Sequence, residues 1–488
     1  MAEELNLSSE IEVRKAKVRK LKDEGKIPYV EKFDRTCTLK QARELEDGKH
    51  VRVCGRITFR RIMGKLSFFA IEDIEAKLQV SISRNEVDEE EYAFFKTMVD
   101  TGDFIGVEGD LYTTHTGERT VRTQKYTLLS KAILPLPEKY HGLTNLDQRY
   151  RERCMDLVSN DTSKDVFLKR SRFLQFLRDF LNKNGFVEVE TPILQSAVCG
   201  ASAKPFFTKH NALDKICNLR IAPEVYLKQV IAGGFDRVFE VAKCFRNEGM
   251  DPSHLQEFTM VEWYAAYWNY EDNIAFYTKF IREAVQTICG TLAIPFKGQT
   301  IDFSKDFAKI NYTEKVNEIL GLNILEYTDV DKFKKDVVAT GLFTMDEFEM
   351  CKTVGGVIDL VYKRKIRENI IQPTILYNYP ACLVPLARRN DEDNRRIDMF
   401  QVLVCGDELC KAYSELVDPL VQREALEEQA KARQNGDDEA MELDEDFLNA
   451  MEHGMPPISG LGFGVDRLMC MLTNQESLRD VVLFPLMK

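Results

Sequence analysis

Hydrophobic and polar positions change period several times along the chain, and each change marks an element. Between Ile11 and Lys22 the apolar positions Val13, Ala16, Val18 and Leu21 permit a helix. Arg14, Lys15, Lys17, Arg19, Lys20 and Lys22 stand between them against Glu12 alone, which predicts a basic face. From Val51 to Arg60 the period drops to two: Val51, Val53, Ile57 and Phe59 point one way, Arg52, Arg56, Thr58 and Arg60 the other. Strand-like segments follow at Leu66–Ile74, Leu78–Ser83, Phe104–Tyr112 and Thr120–Leu129, with turn signals between them. Five short strands in so compact a stretch predict a small closed barrel of the oligonucleotide-binding (OB) type.

Leu134–Gly142 reads as a linker, so the expected organisation is a helical segment over 1–48, the barrel over 49–140 and a second domain over 141–488. That domain opens with a helix over Lys164–Asn184, whose Val166, Phe167, Phe173, Leu174, Leu177, Phe180 and Leu181 recur at helical spacing before Gly185 stops it. Strands are predicted at Val187–Pro192, Arg237–Glu248, Glu257–Tyr267 and Ser459–Phe463. Strands flanked by helices without regular βαβ alternation point to an α+β fold on a mainly antiparallel sheet. Residues 422–452 are polar and helix-prone and read as a surface excursion.

Charge changes this picture once it is located. The 488 residues carry 67 basic against 79 acidic side chains, net −12, which excludes a simple nucleic-acid-coating protein. Yet residues 423–452 hold −8 of the −12, leaving −4 elsewhere, while Ile11–Lys22 is +5. An RNA partner is therefore still open. The twelve cysteines form no Cys-x-x-Cys pair and the six histidines no zinc-ligand spacing, so reduced thiols are expected. With no signal peptide and no run of membrane-spanning length, a cytoplasmic protein is expected.

Familiar phosphate cradles are missing: there is no Gly-x-x-x-x-Gly-Lys-Ser/Thr, and the glycines of Gly460-Leu-Gly-Phe-Gly464 do not fit the dinucleotide fingerprint. Two other segments carry chemistry. Over Cys244–Tyr264, read as two strands and a loop, Arg246 and Glu248 share one face and Phe258, Met260, Glu262 and Tyr264 another. Such a set could clamp a phosphate, stack on a base and accept from an amine, or it could be a surface hairpin with an Arg–Glu pair. In Ser459–Arg467, alternating glycines strip one strand face so that a flat ligand can approach, with Arg467 at the start of a helix over Val465–Leu472. The other reading is a close-packed strand–helix turn capped by Asp466.

These segments, with Gly185-Phe-Val-Glu-Val-Glu-Thr-Pro192, resemble the three motifs of the class II aminoacyl-tRNA synthetases, and among them the bacterial-type lysyl-tRNA synthetases. The resemblance runs from about residue 12 to the C-terminus and includes Gly200–Phe206, His210–Asp214, Leu219–Lys228, Gly436–Met441, Glu452–Pro457 and Ser477–Pro485. It implies ATP-dependent activation of L-lysine, Mg²⁺ with the ATP, transfer to tRNA(Lys), and a homodimer through the first motif. Arg246 and Arg467 would be the catalytic cations. Glu248, His254, Phe258 and Glu408 would complete the ATP site, and Gly200, Glu224, Arg246, Glu262, Tyr264, Lys411 and Glu415 would bind lysine. Glu408 would be a metal ligand, and Arg61, Phe68, Gln79 and Glu118 would read the anticodon.

Three positions depart from the family pattern: Ser253 for an arginine, Lys411 for an asparagine, and Gln401 for a second acidic metal ligand. Competing readings are an aspartyl- or asparaginyl-tRNA synthetase, which would want a cation in place of Glu415, and a ligase that lysylates a protein, which would lack the barrel. An RNA-binding protein with an inactive synthetase fold is disfavoured by Arg246, Glu248 and Arg467.

Overall fold

A computed structural model describes residues 2–137, 142–201, 203–384, 387–434 and 441–487. Ser202, residues 138–141 of the expected linker, and the acidic Asp437, Asp438 and Glu439 within Gly436–Met441 lie outside the described residues. The chain divides into two compact units, Met1–Lys164 and Asp165–Lys488.

In the first unit, β1 (His50–Met63), β2 (Leu66–Glu72), β3 (Lys77–Ser83), β4 (Phe104–Thr113) and β5 (Arg119–Ser130) close into a barrel ordered β1-β2-β3-β5-β4. Val51, Val53, Phe69, Ile71, Val80 and Val107 fill it. The alternation of β1 holds as far as Ile57. A bulge between Ile57 and Phe59 then resets the phase, so Phe59 faces solvent and Thr58 is buried, the reverse of the expectation. Helix Ala2–Asp23 also differs from its predicted face. Its buried stripe is Arg14, Val18 and Leu21, whereas Val13 and Ala16 are exposed. Arg14 donates to the Thr101 carbonyl at 3.0 Å and Lys17 pairs with Asp100 at 2.7 Å, so partners on the barrel draw cations inward.

The second unit is built on eight strands: β6 (Val187–Glu188), β10 (Arg237–Phe245), β11 (Glu257–Ala266), β14 (Ala308–Asn311), β15 (Thr374–Pro380), β16 (Arg396–Val404), β17 (Asp407–Ser414) and β18 (Ile458–Gly464). Their order is β14-β15-β16-β17-β18-β11-β10-β6, parallel only at the two outermost pairs. A three-stranded sheet of β7 (Leu194–Gln195), β8 (Phe207–His210) and β9 (Lys215–Leu219), and a hairpin of β12 (Ala293–Phe296) and β13 (Gln299–Asp302), complete it. One sheet face presents Val261, Trp263, Leu461 and Phe463 to a core shared with helices Asp161–Lys183, Tyr270–Cys289 and Val465–Thr473.

Three expectations are corrected here. The strand predicted over Val187–Pro192 pairs only at Val187 and Glu188. Beyond it Thr191 joins a buried network in which Arg220 donates to Glu240 at 2.6 Å and Thr191 Oγ1 donates to the same carboxylate at 2.6 Å. The strand bearing Cys244 stops at Phe245, so Arg246 and Glu248 sit on the loop. Finally, the excursion at 422–452 is not all surface. Helices Pro419–Gln434 and Glu445–Glu452 bury Leu426, Phe447, Leu448 and Met451 against Cys199 and Val225.

Candidate active site

Strand register explains the shape of the pocket on the sheet's other face. Phe258, Met260, Glu262 and Tyr264 alternate onto this face of β11. Alongside, β18 sets Gly464 opposite Met260, Gly462 opposite Glu262 and Gly460 opposite Tyr264. On its other flank β17 sets Lys411 opposite Gly462 and Tyr413 opposite Gly460. Directly opposed residues share a sheet face, so the glycines floor a groove whose walls are β11 and β17 side chains. The cavity is about 560 Å³, a small-molecule size. It gathers Gly200, Glu224, Arg246, Glu248, His254, Phe258, Glu262, Tyr264, Glu408, Lys411, Glu415 and Arg467, which is every residue expected for ATP and lysine.

At one end lie the cations. The Arg246 guanidinium stands over the Phe258 ring at 5.1 Å, and its Nε is buried without a partner. Its backbone N–H donates to Gln256, whose side-chain amide holds the Gly249 carbonyl at 2.9 Å, so the loop is braced from within. His254 at the rim shares a 2.8 Å hydrogen bond with Asp251. Asp466 does not cap its helix. Its carboxylate accepts from the Thr259 N–H at 2.8 Å and pairs with Arg170 at 2.6 Å, which fixes the turn that presents Arg467.

At the other end lies a buried acidic slot. Glu224, Glu262 and Glu415 converge there with Lys228, Tyr264 and Tyr413. Lys228 Nζ is 2.6 Å from Glu224 and 2.7 Å from Glu415 Oε2, while Glu415 Oε1 has no partner. Tyr264 donates to Glu262 at 3.1 Å. Burial pushes the carboxyls of Glu262 and Glu415 well up from the ordinary range, and Lys228 pulls against that shift in both. Burial works against the Lys228 charge too, but Glu224 and Glu415 outweigh it and raise its pKa. The Glu224 charge, then burial, keeps the Tyr413 phenol protonated. Gly200 closes the slot at φ +92°, a conformation that favours glycine.

Gln401 lines a neighbouring cavity with Glu408 and Lys411. Its amide donates to Glu408 and its carbonyl accepts from Tyr379 at 2.6 Å, so both polar ends are engaged. Among the described residues no three His, Cys, Asp or Glu side chains gather as a metal cluster. Glu408 is thus a single carboxylate, which suits an Mg²⁺ whose other ligands are phosphates and water.

On the barrel, Arg61 opposes Phe68 and Ala70 opposes Gln79, which puts Arg61, Phe68 and Gln79 on one face, while the buried Phe69 faces the core. Gln79 donates to Thr120 at 2.9 Å, and Glu118 stands in the turn before β5 with Arg43 at 3.8 Å. Sequence reasoning missed Lys228 and Tyr413 as slot residues, and missed Gln422, Leu426 and Phe447, which reach the pocket from the acidic excursion. Glu224 and Lys228 stand four residues apart on a helix, a signal ordinarily read as an exposed ion pair.

The family of tRNA synthetases class II (D, K and N) matches residues 145–488, and an OB-fold nucleic acid binding domain matches residues 51–129. The chain is 41% identical to the lysine–tRNA ligase of Enterococcus faecalis over 99% of its own length and 98% of the relative's. It is 39% identical to that of Staphylococcus saprophyticus, covering both chains in full, and 41% identical to that of Listeria monocytogenes over 100% and 98%. The chain belongs to the class II tRNA synthetases, in the family of the lysine–tRNA ligases.

Proposed function

We propose that this pocket joins L-lysine to ATP as lysyl-adenylate and passes the lysyl group to the 3′ end of tRNA(Lys). The observation that carries the substrate is Glu415, a buried carboxylate at the end of a glycine-floored groove with one oxygen free for a donor. A narrow slot ending in carboxylates takes a long cation and leaves a shorter or neutral side chain with unpaired charge, which is penalised. Aspartate would bring a third kind of mismatch: its carboxylate would face Glu262 and Glu415, while Lys228 already holds two carboxylates.

In this reading Glu224 and Gly200 take the α-ammonium, Glu415, Glu262 and Tyr264 take the ε-ammonium, and Arg246 and Lys411 face the substrate carboxylate. Phe258 and Arg467 sandwich adenine, Glu248 meets its amino group and His254 reaches the outer phosphates. A lysine carboxylate oxygen attacks the α-phosphorus as the bond to the β-phosphate oxygen breaks and pyrophosphate leaves. The terminal hydroxyl of the tRNA then attacks the acyl carbon and AMP leaves. No general base is needed for the first step: the geometry supplies alignment and fixed positive charge. Glu408 is the carboxylate that would hold Mg²⁺ brought with ATP, which would supply positive charge at the phosphates.

We further read Arg61, Phe68, Gln79 and Glu118 as anticodon contacts, the helix Asp161–Lys183 with the first motif as a homodimer surface, and the cytoplasm as the setting. No helix among the described residues is long and apolar enough to cross a membrane, and all twelve cysteines carry free thiols. Charging of a tRNA(Lys) transcript with radiolabelled lysine tests the proposal. Acid-stable counts above those obtained with a tRNA(Asp) transcript are expected, and equal counts on both would refute it.

A further inference from the structure

We infer that Lys228 is the fixed counter-charge of the amino-acid slot: it holds the Glu224 and Glu415 carboxylates aimed into the slot, so that the slot accepts two ammonium groups together. The inference deepens the reading of this pocket as a lysine site and rests on it.

Lys228 lies on the helix Glu224–Ala232 and is 5% exposed. Its ammonium spans the slot, holding Glu224 of its own helix at 2.6 Å and Glu415, beyond the end of β17, at 2.7 Å. Each carboxylate is thereby fixed through one oxygen, and Glu415 Oε1 is left bare. An ordinary helical Glu–Lys pair stands in water and is worth little. This one is buried, where breaking a pair leaves a charge uncompensated.

Charge counting gives the function. The groups facing the slot are Glu224 and Lys228 from the helix, Glu262 and Tyr264 from β11, Tyr413 and Glu415 from β17 and its end, and Cys199 behind them. With the phenols and thiol neutral, three carboxylates face one ammonium. A bound lysine adds its α- and ε-ammonium groups, and its own carboxylate is left to Arg246 and Lys411. With lysine bound and all three carboxyls ionised, the slot is neutral. Without Lys228 one carboxylate is in excess, and burial favours the state in which it takes a proton. The Lys228 charge is the foremost influence opposing burial at Glu415 and also opposes it at Glu262, so without Lys228 both carboxyls are drawn toward the protonated state. A protonated Glu415 offers no charge to the ε-ammonium. Lys228 is thus a positioning residue that acts through Glu415 and Glu224.

The test is lysine-dependent ATP–pyrophosphate exchange by the full chain, from about pH 6 to about pH 9, for wild type, Lys228→Gln, Lys228→Met and Lys228→Arg. Wild type should show a lysine KM that rises as pH falls and Glu415 protonates. In Lys228→Gln and Lys228→Met that rise should move up by about one to three pH units, raising lysine KM about tenfold or more at neutral pH, with ATP KM unchanged. Lys228→Arg should keep the wild-type midpoint. A lysine KM raised equally at every pH, or an unmoved profile, overturns the proposal. Joint loss of ATP and lysine binding in Lys228→Gln, which keeps the donors and most of the length, would make Lys228 a folding residue and also overturn it. Wild type without lysine-stimulated exchange would instead overturn the lysine reading underneath.

Discussion

Substituting the floor glycines one at a time separates a groove made for a ligand from a strand merely packed tightly. A Cβ at Gly460 would stand inside 3.0 Å of both Tyr264 Cε1 and Glu415 Oε1. Neither can retreat freely, since Tyr264 and Glu415 are each 3% exposed and Glu415 is held by Lys228. At Gly462 the nearest atom would be Glu262 Cγ at 3.5 Å, an ordinary contact, so the fold has room for a methyl there. Overpacking of a buried site costs about 1–3 kcal/mol. If Gly460→Ala expresses that cost by displacing Glu415, lysine KM rises roughly 5- to 150-fold. ATP KM should hold, because Arg246, Phe258 and Arg467 lie at the far end of the groove. Gly462→Ala should leave Tm unchanged and weaken ligand binding alone. The assay is ATP–pyrophosphate exchange titrated in lysine and in ATP, with Tm alongside. Wild-type lysine KM in Gly460→Ala, or a Tm loss in Gly462→Ala as large as in Gly460→Ala, would refute the reasoning.

Other outcomes follow from the same geometry. Glu415→Gln leaves the ε-ammonium without its carboxylate and Lys228 with one partner fewer, so kcat/KM for lysine should fall about 100-fold or more, with ATP binding retained by calorimetry. Asp466→Ala leaves the Thr259 N–H unpaired and Arg170 without its carboxylate, holding only the Thr259 hydroxyl and the Val481 carbonyl, and urea unfolding should show a loss of about 3 kcal/mol. Phe68→Ala should weaken tRNA(Lys) binding by about 1–3 kcal/mol in a gel-shift assay, while exchange without tRNA is unchanged.

Much of this site was legible because period-two alternation survives translation into structure. The spacing of Phe258, Met260, Glu262 and Tyr264, and that of the glycines from 460 to 464, each became one face of a strand. What sequence does not carry is register, and register is what set Glu262 beside Gly462 and Lys411. Lys228 was hidden for a related reason: its partner Glu415 lies almost two hundred positions away, and only the local Glu224 was in view. A single bulge sufficed to turn Phe59 outward. The acidic excursion misled through its average, since Leu426, Phe447 and Met451 are few among many charges yet decide where the helices pack.

The central claim is that a slot of three carboxylates and one fixed ammonium selects lysine for activation. ATP–pyrophosphate exchange by the purified chain, run separately with each of the twenty protein amino acids, tests it most directly. The account predicts stimulation by lysine far above that by any other, with arginine and aspartate near background. Stimulation by aspartate or asparagine, or none by lysine, would contradict it.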